Sequence, residues 1–127
     1  MYITRFLRND KNKEDYFYHT AEESFSHMML FKDDDSNLYQ SISVIDDDQN
    51  TVLAILMFED GVPMDVFKLG DFVRLRKEHS LPQEQKWVYK IANLNDVTGR
   101  ADILCTNSDM AIAPIETVGV NMIQPLA

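Results

Sequence analysis

A single cysteine, Cys105, excludes an internal disulfide framework and a thiolate metal knuckle, both of which need several sulfurs. Glycine is nearly as scarce: the four present are isolated, so the chain has neither a Gly-rich phosphate loop nor a nucleophile elbow. No apolar run approaches the ~18 residues that span a bilayer, and the opening MYITRFLRND lacks the apolar core and cleavage site of a secretion signal. A cytoplasmic protein with no membrane contact is expected. Basic residues are few in the first half, where residues 1–60 hold 13 acidic and 5 basic side chains, a net −8. Residues 61–127 hold 8 and 7, a net −1. A potential of the first kind repels nucleic acid and anionic membrane and speeds encounter with basic surfaces; an acidic surface also serves solubility.

What is present is a globular composition, 45% hydrophobic with seven Phe, five Tyr and one Trp, in a chain of 127 residues, enough for one ordinary domain or two very small ones. MYITRFLR alternates as a strand, and the polar NDKNKED leads to the aromatic run YFYH, together a hairpin. Thr20 followed by Glu23 is a capping box, and Ala21, Phe25, Met28 and Met29 then share one face of a helix of about three turns. LYQSISVI alternates, with Tyr39 expected on its wetter side, while TVLAILMF is apolar on both faces, as in a central strand. These elements predict an acidic ββαββ lobe over residues 1–62, with a boundary marked by Gly61 and Pro63. Over residues 63–127, DFVRLR, KWVYKIANL, ADILCT and VGVNMIQPL predict a small all-β module packed against the lobe as one unit. The fold class is therefore α+β.

Two runs of three aspartates, Asp33–Asp35 and Asp46–Asp48, flank the strand LYQSISVI. At about 3.3 Å per residue they lie some 30 Å apart, too far to share a metal or a reacting atom. Asp33, Asp35 and Asn37 match the first ligands of a calcium loop, but Leu38 stands where glycine is needed and Val44 where a bidentate glutamate belongs. The triplets are therefore solvated turns or two anionic patches set like points on a duplex backbone. Glu59 and Asp60 extend the acidity, and Tyr39 beside the first triplet is an anchor candidate for a basic partner.

Catalytic chemistry is thin. His19, His27 and His79 show no metal-ligand spacing, and Cys105, which could meet His79 only through the fold, sits in an apolar strand like a buried hydrophobe. No enzyme activity, cofactor or metal is expected. Arg74, Arg76, Lys77, Lys86, Lys90 and Arg100 near Trp87 and Tyr89 make nucleic-acid binding an alternative, opposed by the neighbouring −8 lobe.

LGDFVRL followed by WVYKI and two further strands resembles the small SH3-like barrels, in which a Leu-Gly-Asp turn leads into the first strand. The whole chain resembles small acidic inhibitors of bacterial defence carried by phages and mobile elements, including anti-CRISPR proteins. That resemblance implies a bacterial host cell and a basic partner, a CRISPR effector nuclease or restriction enzyme, whose Lys/Arg channel is filled by carboxylates standing in for phosphates. Asp33, Asp34, Asp35, Asp46, Asp47, Asp48, Glu59 and Asp60 are the expected contacts. The alternative is an adaptor or regulatory subunit binding through the β module, as a homodimer across an uncovered sheet edge.

Overall fold

The structure, a computed structural model, describes residues 1–126. Among the described residues, ten antiparallel strands form two five-stranded sheets, with one α-helix, an α+β arrangement. Strands β1 (Tyr2–Arg8) and β2 (Lys13–Tyr18) are joined by residues 9–12, among which Lys11 is left-handed at φ 73°. Helix α1 (Ala21–Met29) starts where the Thr20 hydroxyl accepts the Glu23 amide at 3.2 Å. Glu23 returns to the Thr20 hydroxyl rather than to its backbone, at 3.0 Å. Strands β3 (Tyr39–Asp46), β4 (Thr51–Glu59) and β5 (Val62–Lys68) complete the first sheet, in the order β2-β1-β3-β4-β5.

The helix lies on one face of this sheet. Met28 is fully buried against Phe6, Ile42, Val44, Ala54 and Leu56, with Phe25 and Met29 at the margin. Thr4 pins the helix from the sheet, its hydroxyl donating to the Ser24 carbonyl at 2.8 Å and meeting the Ser24 hydroxyl at 2.7 Å.

The second sheet contains β6 (Phe72–Leu75), β7 (Tyr89–Asn95), β8 (Arg100–Cys105), β9 (Ile115–Gly119) and β10 (Ile123–Pro125), in the order β10-β6-β7-β8-β9. It packs on the other face of the first sheet, and Ile55 and Phe67 join Val73, Tyr89, Ile91 and Ile103 in a shared core. Its edges are adjacent in sequence, separated only by the 3₁₀ turn Val120–Met122. A flat five-stranded sheet is about 19 Å wide, whereas this turn advances the chain about 8 Å. The sheet must therefore curl. Its edge strands still do not hydrogen-bond to one another, so the barrel expected from the sequence is corrected to an open sheet.

Residues 62 and 63, where a boundary was expected, lie in a strand of the first sheet. Asp60 and Gly61, at φ 52° and 79°, form a two-residue type I′ turn, and β5 pairs back onto β4 as far as Lys68. Pro63 is tolerated because β5 is an edge strand. The punctuation marks a hairpin inside the first sheet. VGVNMIQPL, expected as one strand, is broken by the 3₁₀ turn, and its two halves belong to opposite edges. No helix is long and apolar enough to cross a membrane among the described residues.

Candidate partner interface

The first aspartate triplet follows the helix, whose last carbonyls are closed by the amides of Phe31 and Lys32. The Asp34 carboxylate accepts from the Ser36 amide at 3.3 Å and the Ser36 hydroxyl at 2.6 Å, shaping its own turn. Asn37 is left-handed at φ 58°. The Asn9 side chain donates to its carbonyl at 2.8 Å, tying this loop to the β1–β2 turn. Gly61 is the second constraint, since a Cβ there would stand 2.3 Å from the Asn37 side-chain oxygen. That close approach draws Asp60 alongside Asp33–Asp35, and together they line an open concavity of about 580 Å³ with Val62 and Pro63. Glu59 lies exposed at the same end of the sheet, where β4 finishes.

The second triplet makes the β3–β4 turn at the other end. Asp46 caps it by accepting from the Asp48 and Gln49 amides at 3.1 and 3.3 Å. Asp48 pairs with the Met1 amino group at 3.1 Å. Asp33, Asp35, Asp47, Glu59 and Asp60 form no side-chain hydrogen bond or ion pair among the described residues, so their carboxylates face solvent unsatisfied by protein. Eight strand residues separate the two ends, about 25 Å. Among the described residues no His, Cys, Asp or Glu group is arranged to hold a metal ion.

Tyr39 is not an exposed anchor. Strand β1 pairs Leu7 with Ser41 and Arg8 with Tyr39, so Gln40 is an extra residue and the side-chain alternation slips there. The slip turns Tyr39 to the helix side, where its ring meets Phe6 at 5.2 Å, Phe31 at 5.6 Å and Phe58 at 6.2 Å. The exposed apolar groups near the first triplet include Leu30, 80% exposed just past the helix, Leu38, 43% exposed in the triplet's own loop, and Val62, 63% exposed after the Asp-Gly turn. The Asp-Gly pair was the sequence signal that could have placed Val62 there.

The basic residues of the second sheet are not gathered into one free face. Arg76 pairs with Asp65 at 3.5 Å, Arg100 donates to the Thr117 carbonyl at 3.0 Å, and Tyr89 is fully buried and offers no stacking surface. Cys105 is buried in β8, 3.7 Å from the Asn107 side-chain oxygen, while His79 is exposed in the 3₁₀ turn Lys77–His79. No protein-family model, curated protein or solved structure matches the chain.

Proposed function

We propose that this chain is a non-enzymatic interaction protein that binds a basic nucleic-acid-handling protein, of the CRISPR effector or restriction enzyme kind, and inhibits it by occupying its phosphate-binding channel. The supporting observation is the pair of carboxylate-bearing turns at the two ends of one strand ladder, about 25 Å apart. Phosphates rise about 3.4 Å per step along a B-DNA strand, so the two ends subtend about seven base steps. An acidic ββαββ lobe extended by β5 is the scaffold. The open second sheet, read as an SH3-like unit, buttresses it through the shared core. Leu30 and Val62 replace Tyr39 as the apolar contacts beside the first triplet.

The test is displacement of a labelled duplex from purified effector nucleases and restriction enzymes, followed by fluorescence anisotropy at low and moderate salt. Displacement weakened by salt and lost when all six triplet aspartates become Asn is the expected result. Asn preserves both side-chain-capped turns, so the variant isolates charge. Inhibition that survives all six substitutions refutes the proposal.

A second reading has its own observation. Strand β9 leaves one edge unpaired, beside Met110, Ile112 and Ile115, of which Ile112 is 84% exposed. This favours an adaptor that binds through the second sheet or dimerises across that edge. Concentration-dependent light scattering, abolished by Ile112→Ser with Ile115→Ser, distinguishes it from the first.

A further inference from the structure

The core shared by the two sheets draws on β4 and β5 of the first sheet. Over β1 and β3 the same face is left as a cleft of about 250 Å³, roofed by Asp96 and Val97 of the β7–β8 turn. Its floor follows from the register: Arg5 pairs with Ser43 and Leu7 with Ser41, and Lys13 flanks Leu7 on β2. Ser41 and Ser43 are 2% and 1% exposed, yet neither hydroxyl makes a hydrogen bond among the described residues, and both line the cleft. Their oxygens are not among the buried polar atoms left without a partner, so the little surface they keep opens on the cleft, where a hydroxyl can donate to an incoming acceptor.

The charges around them have the matching sign. Arg5, Lys11 and Lys13 line the cleft, three of the five basic residues in the first sixty of a chain with net charge −9. Arg5 is engaged by protein: it donates to both Asp15 oxygens at 2.8 and 2.9 Å and to Asp96 at 3.5 Å, clamping the β7–β8 turn over the sheet. Lys11 reaches only the neutral Gln40 side chain, at 3.0 Å, and Lys13 has no polar partner among the described residues. Lys11 also occupies a left-handed position that glycine fills without strain.

We propose that this cleft binds a small oxyanion, a carboxylate or phosphate group on a body of a few carbons, through the Lys11 and Lys13 ammonium groups and the Ser41 and Ser43 hydroxyls. The volume is that of about eight waters, and Leu7 and Val97 give the carbon body an apolar wall. A polyanion is disfavoured by the acidic turns around the lobe. The site is independent of the partner interface proposed above.

Amide chemical-shift titrations of the full chain with inorganic phosphate and with acetate, against chloride at equal ionic strength, test this. Expected are saturable shifts confined to residues 5–13, 40–43 and 96–97, and whichever of the two anions binds more tightly identifies the headgroup. Ser43→Ala and Lys13→Gln should each weaken binding about tenfold or more, since each removes a hydrogen bond to a charged group. Lys11→Gly, which relieves the turn, should weaken binding while leaving the melting temperature equal or higher. Should a serine variant fail to fold, the two lysine variants carry the test alone. Shifts that chloride reproduces, that fail to saturate, or that persist unchanged in the lysine variants overturn the proposal.

Discussion

Replacing Tyr89 by Phe should stabilise this protein. The ring is wholly buried at the heart of the shared core, opposite Cys105 across the β7–β8 ladder and edge-on to Trp87 at 6.4 Å. Its hydroxyl has no hydrogen-bond partner among the described residues. Phe keeps the packing and removes the stranded oxygen, whose desolvation costs about 1–3 kcal/mol. A gain of about 1–2 kcal/mol is expected at neutral pH, a rise of about 3–6 °C in melting temperature. The pH dependence supplies a second check. Burial, assisted by the charges of Glu116, Cys105 and Glu84, raises the phenol's pKa above its ordinary value. Below about pH 10 both folded and unfolded chains hold the proton, and Tyr89 adds no pH dependence. Above it the unfolded chain releases a proton that the folded chain retains, so stability falls by up to about 1.4 kcal/mol per pH unit. The variant lacks this loss. Urea unfolding of both proteins between pH 7 and 11 should show a gap that widens above pH 10. A lower melting temperature for Tyr89→Phe would mean that the hydroxyl is hydrogen-bonded in solution, and a gap constant with pH that it ionises as readily in the folded chain as in the unfolded one; either outcome refutes the reasoning.

Gly61→Ala should destabilise by about 1–2 kcal/mol, because the new Cβ must accept a left-handed φ of 79° and meet the Asn37 side chain. Combining it with Asn37→Gly removes that clash, and a double-mutant cycle by urea unfolding should recover part of the cost; strict additivity counts against the Asn37–Gly61 approach that gathers the first acidic end. His27 is packed among Phe6, Tyr16 and Phe31, and burial lowers its pKa. A ring titration by NMR should place its midpoint below the usual value of about 6.5, and His27 should contribute a loss of stability as pH falls below that value, where the unfolded chain takes up the proton more readily.

The helix was legible because its signals are local: a Thr cap, first-turn carboxylates, and apolar residues at spacings of three and four that became the buried Met28 face. TVLAILMF was legible for the same reason, since a strand covered by a helix on one side and a sheet on the other has no polar face to show. What failed was non-local or turned on one residue. The slip at Gln40 reversed Tyr39 through pairing with β1, thirty residues away, which period-two alternation does not encode. Gly61 and Pro63 were read as a boundary because punctuation looks the same whether a chain leaves a sheet or folds back into it. Ser41 and Ser43 looked like a solvated face. They are buried because the turn carrying Asp96 and Val97 arrives over them from the other sheet.

The arrangement of layers also limits where a macromolecular partner can dock on the acidic lobe. The helix occupies one face of the first sheet and the second sheet covers β4 and β5 on the other, so the turns at the two ends of the ladder stand clear. Those turns carry both triplets. The oxyanion cleft lies on the β1–β3 surface away from the helix, beneath its own roof, and at physiological salt charges more than about 8 Å apart are largely screened. The aspartate and lysine substitutions should therefore separate the two proposals. Removing all six triplet charges is expected to abolish duplex displacement while leaving the phosphate titration of the cleft intact, and Lys13→Gln is expected to do the reverse. If one substitution set erases both activities without lowering the melting temperature, the two surfaces are a single site, and the independence assigned to the cleft is wrong.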